Sequence, residues 1–357
     1  MATPLHLLRA LGLAAIALFG ASSGHAIVQP QSEQNKSPVQ VASNAVTEEQ
    51  KKAVLESVQS TLNRRAFVHG IDFSRWSQMS ESHRDAFDRA RTPAEFARAV
   101  TQSLRGFGIS HLRLSPPAAP RQPEGGGPSS FVHLRAEGPE TLRWLDDSTA
   151  VIRIPSFDDD VYSRDNVREL MAQAREKAQI LVVDLRGNGG GAVRNMQHFL
   201  GFVLPDNTAV GVYVGRGAVR EFERREGRPP ADSAEVASQA ERKFRIRASS
   251  DGVFKGKLAV LISRGSASAS EIIAAALRDC ANAPIVGQPS AGMVLLSTHL
   301  KVGGGFELQF PTSDYITISG VRLEGNPIKP HLIVPRNRRG AADVAPDEAV
   351  RLVREGL

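Results

Sequence analysis

Apolar positions along this chain change period several times, and each change marks an element. Val54, Val58 and Leu62 recur at every fourth residue, as on one face of a helix. Phe96, Val100 and Leu104 repeat that spacing after Thr92-Pro93-Ala94-Glu95, a helix start with proline in the first turn and glutamate at the third position. Glycines at 106 and 108 then end the helix, and Ile109-Ser110-His111-Leu112-Arg113-Leu114 begins an alternating, strand-like pattern. Residues 47–115 therefore read as a small amino-terminal helical domain, and residues 116–130, with PPAAP and EGGGP, as a linker or flap.

The pattern beyond it is that of an α/β core over residues 131–340, closed by a carboxyl-terminal helix at 341–357. Strands are expected over 131–145 and 149–154. A helix face follows at Val167, Leu170, Met171 and Ala174, and then the continuous apolar run QILVVDL at 179–185, of the kind buried on both faces. Val193, Met196, Gln197 and Leu200 start another helix, Val210 to Val214 reads as a strand, and 216–247 is charged and expected to be peripheral. Further strands are expected at 284–287, 295–302, 306–311 and 315–318, and Val350 and Val353 share one side of the closing helix.

Lys257 to Asp279, KLAVLISRGSASASEIIAAALRD, stands out within this core as strand, tight turn and helix. Ser268-Ala269-Ser270-Glu271 has the S-x-x-E form of a capping box, which makes Ser268 the N-cap and surrounds it with the first free N–H groups of the helix. Such a serine can simply cap. It can also act as a nucleophile whose oxyanion is received by the Ala269 N–H, and the small residues from Gly265 to Ser270 leave space for a substrate backbone that a cap does not need.

Composition narrows the class. The 357 residues, 41% hydrophobic and 23% charged, describe an ordinary globular protein with ample chain for a core. The net charge of +6 is spread along the chain without a basic run interleaved with aromatics, so nucleic acid is not an expected partner. Residues 1–26 resemble a secretory signal peptide, with Arg9, an apolar stretch from Ala10 to Phe19, and small residues at Gly24 and Ala26. That stretch is about half the ~20 residues needed to span a bilayer, so export to the periplasm or cell exterior is expected, with no membrane span after cleavage. Residues 27–46 read as a disordered linker, and Cys280, as the single cysteine, allows no internal disulfide.

A second candidate lies at Asp184-Leu185-Arg186-Gly187-Asn188-Gly189-Gly190-Gly191. Its glycines satisfy G-x-G-x-x-A, the form of a dinucleotide fingerprint, but no mononucleotide-binding half repeats downstream. The other functional reading makes its N–H groups the second half of an oxyanion hole for Ser268. A plain strand-to-helix turn would need one glycine rather than four within five residues.

Together, LVVDLRGNGGG and LISRGSASASEIIAAAL resemble the carboxyl-terminal processing peptidase and tricorn family of serine peptidases, which also includes the repeats of interphotoreceptor retinoid-binding protein. The resemblance covers roughly Ala150 to Pro335. It implies a crotonase-like α/β core, Ser268 as nucleophile and an oxyanion donor near Gly189 or Gly190, completed by Ala269. The processing-peptidase branch carries a lysine base twenty-five residues after the nucleophile, where this chain has Met293. The tricorn-like branch instead takes a histidine near the end of its helical region, which Ser110-His111 resembles, and a glutamate before a G-x-x-P stretch, which Leu323-Glu324-Gly325-Asn326-Pro327 resembles. The short 116–130 segment implies no PDZ module. The resemblance thus implies an exported serine endopeptidase acting on peptides or proteins without cofactor or metal, its base His111 oriented by Ser110 and Glu324. A catalytically silent ligand- or peptide-binding protein on the same fold is the alternative.

Overall fold

The structure is a computed structural model that describes residues 45–118, 138–335 and 342–356. The expected signal segment, the linker before Ala45 and most of the 116–130 flap lie outside the described residues, as does the first half of the strand expected at 131–145.

A six-stranded sheet forms the parallel half of the core. Its strands are β2 (Thr141–Asp146), β3 (Thr149–Arg153), β4 (Ile180–Asp184), β7 (Lys257–Ile262), β8 (Ile285–Gly287) and β11 (Leu332–Ile333), in the order β11-β8-β7-β4-β3-β2. Only β2 runs antiparallel to its neighbour. The helices α5 (Arg164–Lys177), α6 (Val193–Gly201) and α9 (Ala269–Ala281) cover one face, and α10 (Ala345–Glu355) the other. The apolar runs in β4 and β7 follow from this double cover. Leu181, Val183, Val260 and Ile262 join the core under α5, α6 and α9, while Val182, Ala259 and Leu261 alternate with them and pack against Ala349, Val350 and Val353 of α10.

A second sheet has the order β1-β10-β5-β6, with β9 also pairing β10. It contains β1 (Arg113–Ser115), β5 (Thr208–Gly215), β6 (Phe244–Ile246), β9 (Leu295–Gly303) and β10 (Phe306–Thr317). The strands expected separately at 306–311 and 315–318 are one strand, because the break lies within it as a register shift between Pro311 and Ser313, where proline is tolerated. Helices α1 (Glu48–Arg65), α2 (Trp76–Glu81), α3 (Arg84–Arg89) and α4 (Pro93–Leu104) bury Val54, Val58, Leu62, Phe96, Val100 and Leu104 against Leu308 and Phe310 of β10 and Leu114 of β1. Fully burying each such side chain contributes about 1.5–3 kcal/mol. The helix start expected at Thr92 forms as a capping box with Glu95, and Thr47 makes the same reciprocal pair of bonds with Gln50.

The charged 216–247 segment is less peripheral than its composition predicts. It forms α7 (Arg216–Glu226), α8 (Ser233–Ser238) and β6, and its few apolar residues, Val219, Phe222 and Val236, cluster with Val212, Val214 and Ile316 of the second sheet. High charge density hides these anchors, because the arginines of an amphipathic helix occupy only its outer face.

Candidate active site

The turn between β7 and α9 is stitched to the glycine loop. Ser266 Oγ donates to the Leu185 carbonyl (2.8 Å) and accepts from Ser263 N–H (2.9 Å), and Ala267 N–H donates to the Asn188 carbonyl (3.0 Å). Ser268 follows with φ 56° and ψ −117°, a left-handed conformation that costs a non-glycine residue about 1–3 kcal/mol. Several bonds hold it there. Its N–H is shared between the Met293 carbonyl (3.0 Å) and Glu271 Oε2 (3.1 Å), and its carbonyl accepts from Glu271 N–H (2.9 Å) and Ile272 N–H (3.1 Å). Nucleophiles raised on a strained strand-to-helix turn have this backbone character.

Gly190 lies directly against that serine. A Cβ at Gly190 would stand 2.7 Å from Ser268 Cβ, 2.9 Å from the Ala267 carbonyl and 3.1 Å from Ala269 N, and its φ of +99° favours glycine independently. The loop is rigid. Gly190 N–H donates to Asn188 Oδ1 (2.9 Å), and buried Asn188 donates its Nδ2 to the Ile154 carbonyl (2.8 Å). At the loop's base Arg186 donates to both oxygens of Asp184 (2.8 and 2.6 Å) and both of Asp343 (2.9 and 2.7 Å). Gly190's own N–H is thus committed inside the loop, while Gly190 provides the clearance that brings the loop against Ser268 and Ala269.

Glu271 plays a larger part than a helix cap. Its fully buried carboxylate accepts from Ser268 N–H (3.1 Å), Ser290 Oγ (2.5 Å), Gly292 N–H (2.7 Å) and Met293 N–H (2.9 Å). Burial pushes this carboxyl above its ordinary value, against the opposing pull of those four donors. The S-x-x-E spacing signals only the first of these bonds. The other three come from a segment about twenty residues later, which local spacing does not reveal.

His111 also has a left-handed backbone (φ 59°), set between the helical region and β1. Its Nδ1 lies 2.6 Å from Ser110 Oγ. Glu324, 6% exposed, accepts from Ser110 N–H at Oε1 (2.7 Å) and from Ser110 Oγ (2.8 Å) and Val294 N–H (2.8 Å) at Oε2. An ionised carboxylate only accepts, so the single Ser110 hydroxyl proton points to Glu324. Ser110 Oγ must then accept from His111 Nδ1–H, which leaves Nε2 as the basic nitrogen.

One peptide group joins the two halves. The Met293 carbonyl accepts from Ser268 N–H, and the N–H of the same peptide unit, on Val294, donates to Glu324. Ser268, Gly190, Ala269, Glu324, Ser110 and His111 are thereby gathered from four separate stretches of chain, joined by the Met293–Val294 peptide from a fifth. Met293 is 45% exposed, and its backbone is pinned at both ends. His299, Lys301 and Lys329 are exposed, His299 and Lys301 on β9. Among the described residues no cluster of three or more His, Cys, Asp or Glu side chains is placed to hold a metal ion, and no helix is long and apolar enough to cross a membrane.

Comparison with known proteins identifies the family. The tail-specific protease of Haemophilus influenzae is 34% identical over 146 residues, 40% of this chain and 17% of that protein. The carboxy-terminal processing protease CtpA of Bacillus subtilis is 24% identical over 188 residues, 52% of this chain and 35% of that protein. The match thus spans about a sixth and about a third of these two relatives. A lipoprotein from Streptococcus agalactiae superposes with a TM-score of 0.58 at 15% identity, covering 87% of this chain and 99% of that one. The photosystem II D1 C-terminal processing protease gives 0.50 at 16% identity, covering 81% and 94%. These two likenesses establish a shared mixed α/β fold. Residues 148–334, more than half of the chain and inclusive of the glycine loop, Ser268 and Glu324, match peptidase family S41. The chain belongs to that family.

Proposed function

We propose that this chain is an exported serine endopeptidase that cleaves peptide bonds through an acyl-enzyme on Ser268, with His111 as general base. The observation that carries the reading is the single Met293–Val294 peptide, hydrogen-bonded to Ser268 on one side and to the Glu324–Ser110–His111 chain on the other. His111 Nε2 removes the Ser268 hydroxyl proton as Oγ attacks the scissile carbonyl, and the imidazolium returns that proton to the leaving amine. Ser110 and Glu324 hold the ring in the tautomer this step needs and stabilise the charge that forms on it. Water, activated by the same nitrogen, then releases the acyl group.

The N–H groups of Gly189 and Ala269 are assigned as the oxyanion hole. Gly190 contributes its missing side chain, because its N–H is occupied by Asn188. Loop and nucleophile leave the carboxyl ends of the adjacent parallel strands β4 and β7, where open α/β sheets place their sites, and this arrangement supports a crotonase-like assignment for the core. The signal-like residues 1–26 support export.

Labelling the full chain with a fluorophosphonate, followed by mapping of the modified peptide, tests the reading. Adduct on Ser268 together with hydrolysis of labelled casein is the expected result. Absence of both under conditions that label a control serine hydrolase would leave the silent binding protein as the better description.

A further inference from the structure

We propose that Arg322 is a positioning residue for this site, fixing the backbone of Glu324 so that its carboxylate meets Ser110 at the required angle. The inference rests on the serine-peptidase reading above and extends it to a side chain that touches neither substrate nor the reacting atoms.

The three bonds to the Glu324 carboxylate secure the end of the side chain, and the chain turns outward directly after it, held there by the Gly325 N–H on the Gly292 carbonyl (2.8 Å). Gly325 follows with φ +74°, and Gly325, Asn326 and Pro327 are exposed. Arg322 braces this turn from behind. Its Nη1 donates to the Glu324 carbonyl (3.1 Å), and its Nε donates to Asp314 Oδ2 (2.6 Å). Asp314 is fully buried in β10 and is held there from both sides, paired with Val214 of β5 and Leu295 of β9. The guanidinium fork therefore transmits the position of a central strand to the turn that bears Glu324. A lysine could not span two acceptors in one plane in this way.

The energetics favour a positioning role over a stabilising one. Asp314 Oδ2 accepts from both Arg322 and Ser233 Oγ (2.9 Å), while Oδ1 is buried without a hydrogen-bond partner among the described residues. The Arg322 side chain is 38% exposed, so its pairing with buried Asp314 is partly solvated and contributes little to stability relative to an apolar replacement. Its effect lies in geometry. A misplacement of about 1 Å around a catalytic group costs on the order of 10²-fold in rate.

The test is a double-mutant cycle of Arg322→Gln and Glu324→Gln, read as kcat and KM on a quenched-fluorescent casein peptide and as the rate of fluorophosphonate labelling. Arg322→Gln alone should lower kcat by about 10- to 10²-fold with KM within about twofold. In the Glu324→Gln background the same change should cost less than about twofold, because the carboxylate it positions is already gone. Losses that multiply across the cycle would show Arg322 acting elsewhere and overturn the proposal. Should Arg322→Gln fail to fold, Arg322→Lys retains the charge against Asp314 but loses the second prong. It should show the same kcat loss at nearly wild-type Tm, and wild-type turnover in that variant would equally overturn the proposal. An active wild type whose Glu324→Gln variant is unimpaired refutes this inference alone, whereas a wild type that neither labels nor cleaves refutes the peptidase reading and this inference with it.

Discussion

Ser268 and Glu324 are bound to opposite edges of one peptide group: the carbonyl of Met293 takes the Ser268 N–H at 3.0 Å, and the N–H of Val294 meets Glu324 Oε2 at 2.8 Å. A peptide plane is stiff, so the backbone of Ser268 and the carboxylate of Glu324 are set relative to each other by covalent geometry. Glu271 in turn holds the Met293 N–H, so a buried carboxylate fixes the peptide that joins the two.

The three serines of the turn should separate cleanly. Ser268→Ala is expected to abolish labelling and hydrolysis with Tm close to wild type. Ser266→Ala removes the partner of the part-buried Ser263 N–H and one of the two donors to the buried Leu185 carbonyl, and should lower stability by about 1–3 kcal/mol. Ser270 Oγ is buried with no hydrogen-bond partner among the described residues, so Ser270→Ala should be neutral or mildly stabilising and keep activity. Thermal melts and labelling on the three variants check this, and activity surviving in Ser268→Ala would put the nucleophile elsewhere.

Gly190→Val places a branched side chain where a single Cβ already comes within 2.7 Å of Ser268 Cβ, at a φ that disfavours it. Turnover should fall by about 10² or more as the serine or the loop shifts, and stability should fall by about 1–3 kcal/mol. Steady-state kinetics beside chemical denaturation resolves the two effects. Unchanged kcat in a folded variant would remove the loop from the mechanism.

His111→Ala should reduce kcat by about 10² to 10⁴. Lys301 and Lys329 are both exposed and offer the contrasting outcome. If either alanine variant were dead while His111→Ala stayed active, an amine would be the base.

Glu271 gives a pH signature in stability. Its folded-state pKa is raised by burial above the ordinary carboxyl value of 4.5, so the folded protein retains this proton where the unfolded chain has released it. The group's contribution is therefore most favourable at acid pH and is lost as pH rises from about 4.5 through the folded value. Glu271→Gln removes this titration and puts an amide where backbone N–H groups of Ser268 and Met293 donate. The variant should be less stable and less active, and its deficit relative to wild type should shrink as pH rises across that window. Melts of both proteins between about pH 4 and 8 measure the difference. A constant deficit would exclude the raised carboxyl.

Secondary elements with strong local signals were legible from the chain alone. The fourfold spacing of Val54, Val58 and Leu62, the Thr92-Pro93 start and the doubly buried QILVVDL run all reflect forces that act within a few residues: helix geometry, capping and the alternation of a pleated strand. The candidate nucleophile was legible for the same reason, since a strand, a small-residue turn and an S-x-x-E cap are contiguous. Phe222 and Val236 do not stand out as anchors in the sequence, because three or four apolar residues among many arginines show no clear period until a sheet is there to cover.

Residue type and local spacing thus singled out a serine at a helix start and a glycine-rich loop, while the family resemblance added a histidine at the end of a helical region and a glutamate before a proline-containing turn. Only the tertiary structure decided that they meet. Residues 110 and 324 are more than two hundred positions apart and touch through side-chain bonds, and Glu271 and Arg322 act through partners on other strands and loops. Such contacts are set by how sheets and helices bury their apolar faces, a long-range outcome that the local pattern constrains without specifying.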